Sequence, residues 1–203
     1  MFDWILPEKH AIAVLKMDHD KVEDLFDRFE KTKSREEKEN IIVEAVKELK
    51  IHAQIEEEIF YPAVRGQVET DVMNEADEEH HVVRVLIAEL DHDGRGDDHR
   101  DAKFKVLSEN VRHHIKEEEG DVLPKAKELD IDFVALGQRM LDRKVQLEAD
   151  GVPSDAEHRM VAKANGKSDT PAAASRRKAP AASKAAQTAG AGRATKTKPA
   201  HSR

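Results

Sequence analysis

A histidine followed four residues later by a glutamate, and ten residues later by a proline, occurs twice in this chain: His52, Glu56 and Pro62, then His114, Glu118 and Pro124. Residues i and i+4 of an α-helix share a face one turn apart. An imidazole nitrogen and a carboxylate oxygen placed that way can grip one metal ion. Two further histidines, His19 and His80, interrupt apolar stripes of their own. The set is therefore His19, His52, Glu56, His80, His114 and Glu118, four nitrogen donors and two carboxylates. A single histidine on an apolar face is most often a hydrogen-bonded core residue. Two buried carboxylates are a different matter, because desolvating them is costly unless cations compensate. Two glutamates bridging two ions, with two histidines on each ion, would give nitrogen and oxygen sites with open positions. Such sites suit non-haem iron, with manganese or zinc as competitors, and leave room for an oxo, hydroxo, O₂, peroxide or NO ligand.

The elements that must position these residues are helices. After Pro7, a residue favoured at helix starts, Ile12, Leu15, His19, Val22, Phe26 and Phe29 recur at alternating spacings of three and four, the inward stripe of a bundle helix. Ser34 and Glu37 fit a capping box opening a second helix, whose stripe is Ile42, Ala45, Leu49, His52, Glu56, Ile59 and Ala63. Pro62 should kink its late part and Gly66 close it. A third helix spans about residues 70–91 with Met73, Ala76, His80, Val83, Ile87 and Leu90, and 91–98 reads as a charged, glycine-containing loop. The fourth carries Phe104, Leu107, Val111, His114 and Glu118. A fifth, shorter helix is expected from about Asp132 to Ala149, burying Phe133, Leu136, Met140 and Leu147. His19 aligns with His80 at an offset of 61 residues, while His52, Glu56 and Pro62 align with His114, Glu118 and Pro124 at 62. The expected fold is all-α: a duplicated helical hairpin forming an antiparallel up-and-down four-helix bundle, plus the fifth helix.

Charge divides the 203 residues in two. Residues 1–150 carry 23 Lys/Arg against 39 Asp/Glu, whereas 151–203 carry 11 against 3. The first region is the bundle. The second reads as a basic tail rich in alanine, lysine and proline, and disordered, because 165–203 offer no aromatic or large aliphatic residue to offset the entropy of ordering. Such a tail either solubilises the protein or makes weak, non-specific contact with nucleic acid; it has no aromatic to stack on bases. The absence of cysteine excludes disulfides, thiolate metal sites and cysteine nucleophiles. The N-terminus does not read as a signal peptide and no apolar run reaches membrane length, so the expected address is the cytoplasm.

His19, His52-x-x-x-Glu56, His80 and His114-x-x-x-Glu118 together resemble the hemerythrin-like, HHE cation-binding domain family. Asp18-His19-Asp20 followed by Leu25-Phe26, the run from Glu56 to Pro62, and Glu78-Glu79-His80 fit it as well. The resemblance covers about residues 8–148. It implies a dinuclear non-haem iron centre, oxo- or hydroxo-bridged, that handles or senses O₂, peroxide or NO, with catalase-like peroxide breakdown as one form. A non-catalytic iron sensor or store, whose tail contacts nucleic acid or a protein partner, is the alternative. Oxygen-carrying hemerythrins have a His-x-x-x-His pair on the third helix and His-x-x-x-x-Asp on the fourth. Here Arg84 and Ala76 flank His80 at those spacings, so one histidine of the oxygen carriers is missing, which favours peroxide chemistry or sensing over reversible carriage.

His113 and Glu118 have the five-residue spacing, but His113 shares its face with Val106, Asn110 and Glu117, whereas His114 continues the apolar stripe. The same register argument turns His81 outward or beside the site. Tyr61, four residues after Glu57, is placed to approach the site, but packing at the bundle end is the favoured reading. His10, His92, His99, His158 and His201 lie off the stripes and read as solvated.

Overall fold

The stripes of apolar residues at spacings of three and four each bury one helical face, and four such faces close on one another. A computed structural model describes residues 6–92 and 99–164, within one compact unit. The bundle consists of α1 (Ala11–Lys31), α2 (Arg35–Ile55), α4 (Thr70–His92) and α5 (Arg100–Glu117), with the short α3 (Tyr61–Val64) and α6 (Leu123–Lys127) extending the second helix of each hairpin. No helix of the described residues is long and apolar enough to cross a membrane.

Local chemistry sets the ends of these elements. Ser34 Oγ accepts the Glu37 amide at 3.3 Å, as the capping pattern predicts. Gly66, at φ +90°, turns the chain after α3 where a side chain would be strained. In place of a simple proline kink, π-helical turns occupy Glu56–Phe60 and Glu118–Val122. Pro62 and Pro124 have no N–H to donate, and the proline ring crowds the carbonyl four residues back. The helix widens instead, and the amides of Tyr61 and Leu123 reach back five residues to the carbonyls of Glu56 and Glu118.

Two apolar clusters fill the bundle. One gathers Phe26, Phe29, Ile42, Leu49, Phe104 and Leu107; the other gathers Leu15, Ile55, Phe60, Tyr61, Met73 and Met140. On each of the four bundle helices the border between them falls at or beside the histidine that interrupts the stripe. A polar layer thus lies between two hydrophobic ones, each large side chain of which contributes about 1.5–3 kcal/mol by leaving water.

The fifth helix, α7 (Phe133–Asp150), is as long as α5 rather than short, and packs on α1 and α2. Asp132 caps it through the Ala135 amide at 2.9 Å. Beyond Gly151 comes α8 (Ala156–Ala164), an element not anticipated from the sequence, which packs on α4. Asp155 accepts the His158 amide at 2.8 Å and opens this helix, while Val161 and Glu157 are buried beneath it. Residues 165–203, read above as the main part of a basic tail, lie outside the described residues, as do 93–98 of the charged loop.

Candidate metal centre

All six polar residues that interrupt the stripes come together in the layer between the two clusters, and all are buried, with Glu56 at 0% exposure and Glu118 at 1%. His19, His52, Glu56 and Glu118 bring one donor atom each within 4.8 Å of one another, and so do Glu56, His80 and His114. Glu56 belongs to both groups. Glu118 falls in the first group.

The histidines are oriented from outside. Nδ1 of His19 lies 2.9 Å from Glu119, that of His52 3.5 Å from Asp18, that of His80 2.9 Å from Glu57, and that of His114 2.8 Å from Glu79. Each carboxylate holds the Nδ1 hydrogen and turns the Nε2 lone pair toward the centre, the arrangement that raises the basicity of a metal-binding imidazole. These acids obey the duplication too, Asp18 with Glu79 and Glu57 with Glu119. Most of them are backed by a permanent cation: Asp18 by Lys144, Glu57 by Arg84, and Glu119 by Lys16 at 2.9 Å.

Whether these residues fit a metal can be judged from their unmet valences. Nε2 of His19 and His52, and both oxygens of Glu56 and of Glu118, are buried and without a hydrogen-bond partner. Some are close, with His19 Nε2 3.1 Å from Glu118 and His52 Nε2 3.1 Å from Glu56, but they are not aligned as donor and acceptor. Orphaned buried carboxylate oxygens are costly, and a cation among them removes the cost. Electrostatics agree. Burial pulls His52 down and pushes Glu56 up, yet their mutual attraction prevails in both: Glu56 and Asp18 hold His52 up to about 10, and His52 and His80 hold Glu56 well below the usual carboxylate range. His80, opposed by burial and favoured by Glu56 and Glu57, is likewise raised to about 10. The layer demands positive charge, and the donor set fits divalent metal.

Tyr61 also belongs here, rather than only to the packing at the bundle end. Its hydroxyl stands 3.3 Å from His80 Nε2. In a regular helix residue 61 would lie far around from residue 56; the π turn brings i and i+5 onto one face. The duplication offset puts Leu123 at the counterpart position, so only one half has this hydroxyl. Burial, and then the charges of Glu118 and Glu56, push its phenol well above the ordinary value.

The remaining histidines divide. His113 is exposed and 3.1 Å from Glu117; His81, half-exposed, pairs with Glu157 at 2.8 Å. His10, expected to be solvated, caps α1 by accepting the Ile12 amide at 3.3 Å and stacks on Phe133. His158, also expected to be solvated, bridges Asp155 at 2.7 Å and Asp91 at 2.9 Å. A cavity of ≈ 20 Å³ adjoins the four imidazoles and is otherwise lined by Val22, Leu49, Val83, Val111 and other apolar side chains. That is about the space one water-sized guest needs.

Residues 10–126 match the hemerythrin HHE cation binding domain family. A solved structure similar to this chain is that of a hemerythrin HHE cation binding domain-containing protein from Mycobacterium kansasii, with 26% identity and a TM-score of 0.58 over 70% of this chain and 94% of that one. No curated protein matches the chain.

Proposed function

Because the chain belongs to the hemerythrin HHE cation-binding domain family, we propose that its buried layer holds a pair of non-haem iron ions that meet a small ligand: O₂, peroxide or NO. The observation that carries this reading is the convergence of six buried donor residues whose inward atoms include four carboxylate oxygens with no hydrogen bond. His19, His52, Glu56 and Glu118 would hold one ion, and Glu56, His80 and His114 the other. Iron at such positions supplies redox chemistry toward small oxygen and nitrogen ligands.

The chain's own contribution is positional. Asp18, Glu57, Glu79 and Glu119 fix ring orientation, which keeps the Nε2 atoms aimed at one locus. Val22, Leu49, Val83 and Val111 exclude bulk water from the adjoining cavity and limit a guest to a few atoms. Tyr61 keeps its proton at the hydroxyl beside His80, a donor available on one side only. That asymmetry supports a reaction or a directional response rather than storage alone. The test is metal analysis of the purified full chain with its near-ultraviolet spectrum before and after peroxide, alongside measured O₂ release. Iron bound with no spectral response to O₂, peroxide or NO would leave only a store; no iron bound would remove the proposal.

A further inference from the structure

The duplication is broken at one place where breaking it opens a way in. Under the offsets of 61 and 62, Glu75, His113, Glu117 and Asp121 of the second half correspond to Val14, Ile51, Ile55 and Ile59 of the first. In the first half Val14, Ile51 and Ile55 are fully buried in the cluster that also contains Leu136, Met140 and Leu147 of α7. In the second half the acidic counterparts border a cavity of ≈ 120 Å³, lined by Glu75, Glu79, Glu117 and Asp121 and reaching His114 and Glu118.

Three features mark this cavity as more than a cluster of surface acids. Glu118, one of its lining residues, is 1% exposed and has both oxygens without a hydrogen-bond partner. Glu79 and Glu117 also face His113, and the three present donor atoms within 4.8 Å of one another. Finally, Glu79 differs from the other three carboxylates behind the histidines: among the described residues no lysine or arginine pairs with it, only His113 at 3.6 Å and His114 at 2.8 Å. One oxygen of Glu79 therefore faces the outer triad while the other orients a residue of the buried centre.

We propose that Glu79, His113 and Glu117 form a capture site for a divalent cation, and that the acidic cavity is the route by which metal enters the buried layer. The inference rests on the reading that the buried donors hold metal. A cleft of one sign with low-dielectric walls raises the local concentration of counter-ions and speeds their arrival. Oxygen and imidazole donors suit a divalent ion, and three ligands at a solvated edge hold it weakly enough to release it inward.

Cobalt(II) added to the metal-free full chain serves as the probe, with bound metal followed by its visible absorption and by equilibrium dialysis. The expected result is tight uptake by the buried layer plus one weaker site. H113A/E117Q removes the weaker site and slows filling of the tight ones by about tenfold, with the tight complement unchanged at the end. E75K/D121K, which leaves the triad intact, slows filling and flattens its dependence on ionic strength. Tight sites that fill at the wild-type rate in both variants overturn the route while leaving the buried centre standing. A wild-type chain that holds no cobalt tightly overturns both.

Discussion

His80 Nε2 and His114 Nε2 face each other across 3.2 Å, while Nδ1 of each ring is held by a carboxylate from outside the layer. With both Nδ1 atoms donating to carboxylates, the facing Nε2 atoms require either a proton or a metal ion between them. Iron-loaded full chain should accordingly contain about two irons and gain stability with added Fe²⁺, about 2.7 kcal/mol at a hundredfold excess over Kd. His114→Ala should lower the iron content and remove most of that gain. Metal analysis and thermal unfolding check both, and an unaltered iron content in the variant would sink the assignment.

Tyr61 is the only tyrosine in the chain, so its ionisation can be read without interference from another. Burial and the neighbouring Glu118 and Glu56 charges oppose phenolate. Titrating the folded, metal-free protein through pH 10, the ordinary phenol value, should therefore produce no tyrosinate absorbance until the protein unfolds. A normal titration near pH 10 with the fold intact would show that the hydroxyl is not confined in the layer.

His158 ties α8 to α4, and its titration should be visible as a loss of that tie. Asp91 holds the imidazolium and raises its pKa, burial opposes this, and Asp155 adds to the rise. Because the folded value lies above the unfolded 6.5, this stabilisation is complete below pH 6.5 and is lost as pH climbs through the folded value. Amide exchange in α8 should quicken across that window relative to α2, and His158→Ala should abolish that relative change. A ratio of α8 to α2 exchange that stays constant across the window in the wild-type chain would contradict it.

Gly137 is where α7 touches the start of α1. A Cβ at this position would lie 2.0 Å from the Lys9 carbonyl oxygen and 2.7 Å from the Ala11 nitrogen, both backbone atoms that cannot rotate away. Gly137→Ala should cost about 1–3 kcal/mol and lower the thermal midpoint by several degrees. A midpoint equal to wild type would mean that α7 does not sit this close.

The helical bundle and the six converging residues were legible in the sequence because both are written in one periodicity. An apolar stripe names the inward face, and a polar residue in the stripe must be inward too. Tyr61 ranked below end packing because the π turn changes the period just before it, and a register counted in fours pairs it with Glu57. Asp18, Glu57, Glu79 and Glu119 escaped for another reason. Each adjoins an inward residue in sequence, so on a helix it falls to the flank, where a carboxylate looks like solvated surface. Only tertiary placement shows that Glu57 and Glu119 reach across to histidines of the opposite hairpin. The α8 helix is only nine residues long, too short to show a period, and the ion pairs of Glu157 and His158 with α4 are visible only in the tertiary structure. His10 illustrates the same limit, since its partner Phe133 lies more than a hundred residues away.

One half of the duplicated bundle is sealed beneath α7, and the other opens onto acids. On the proposed route, an ion arriving through the acids would meet His114 and Glu118 first, one residue from each donor group. Both positions would then fill from a single mouth and empty through it.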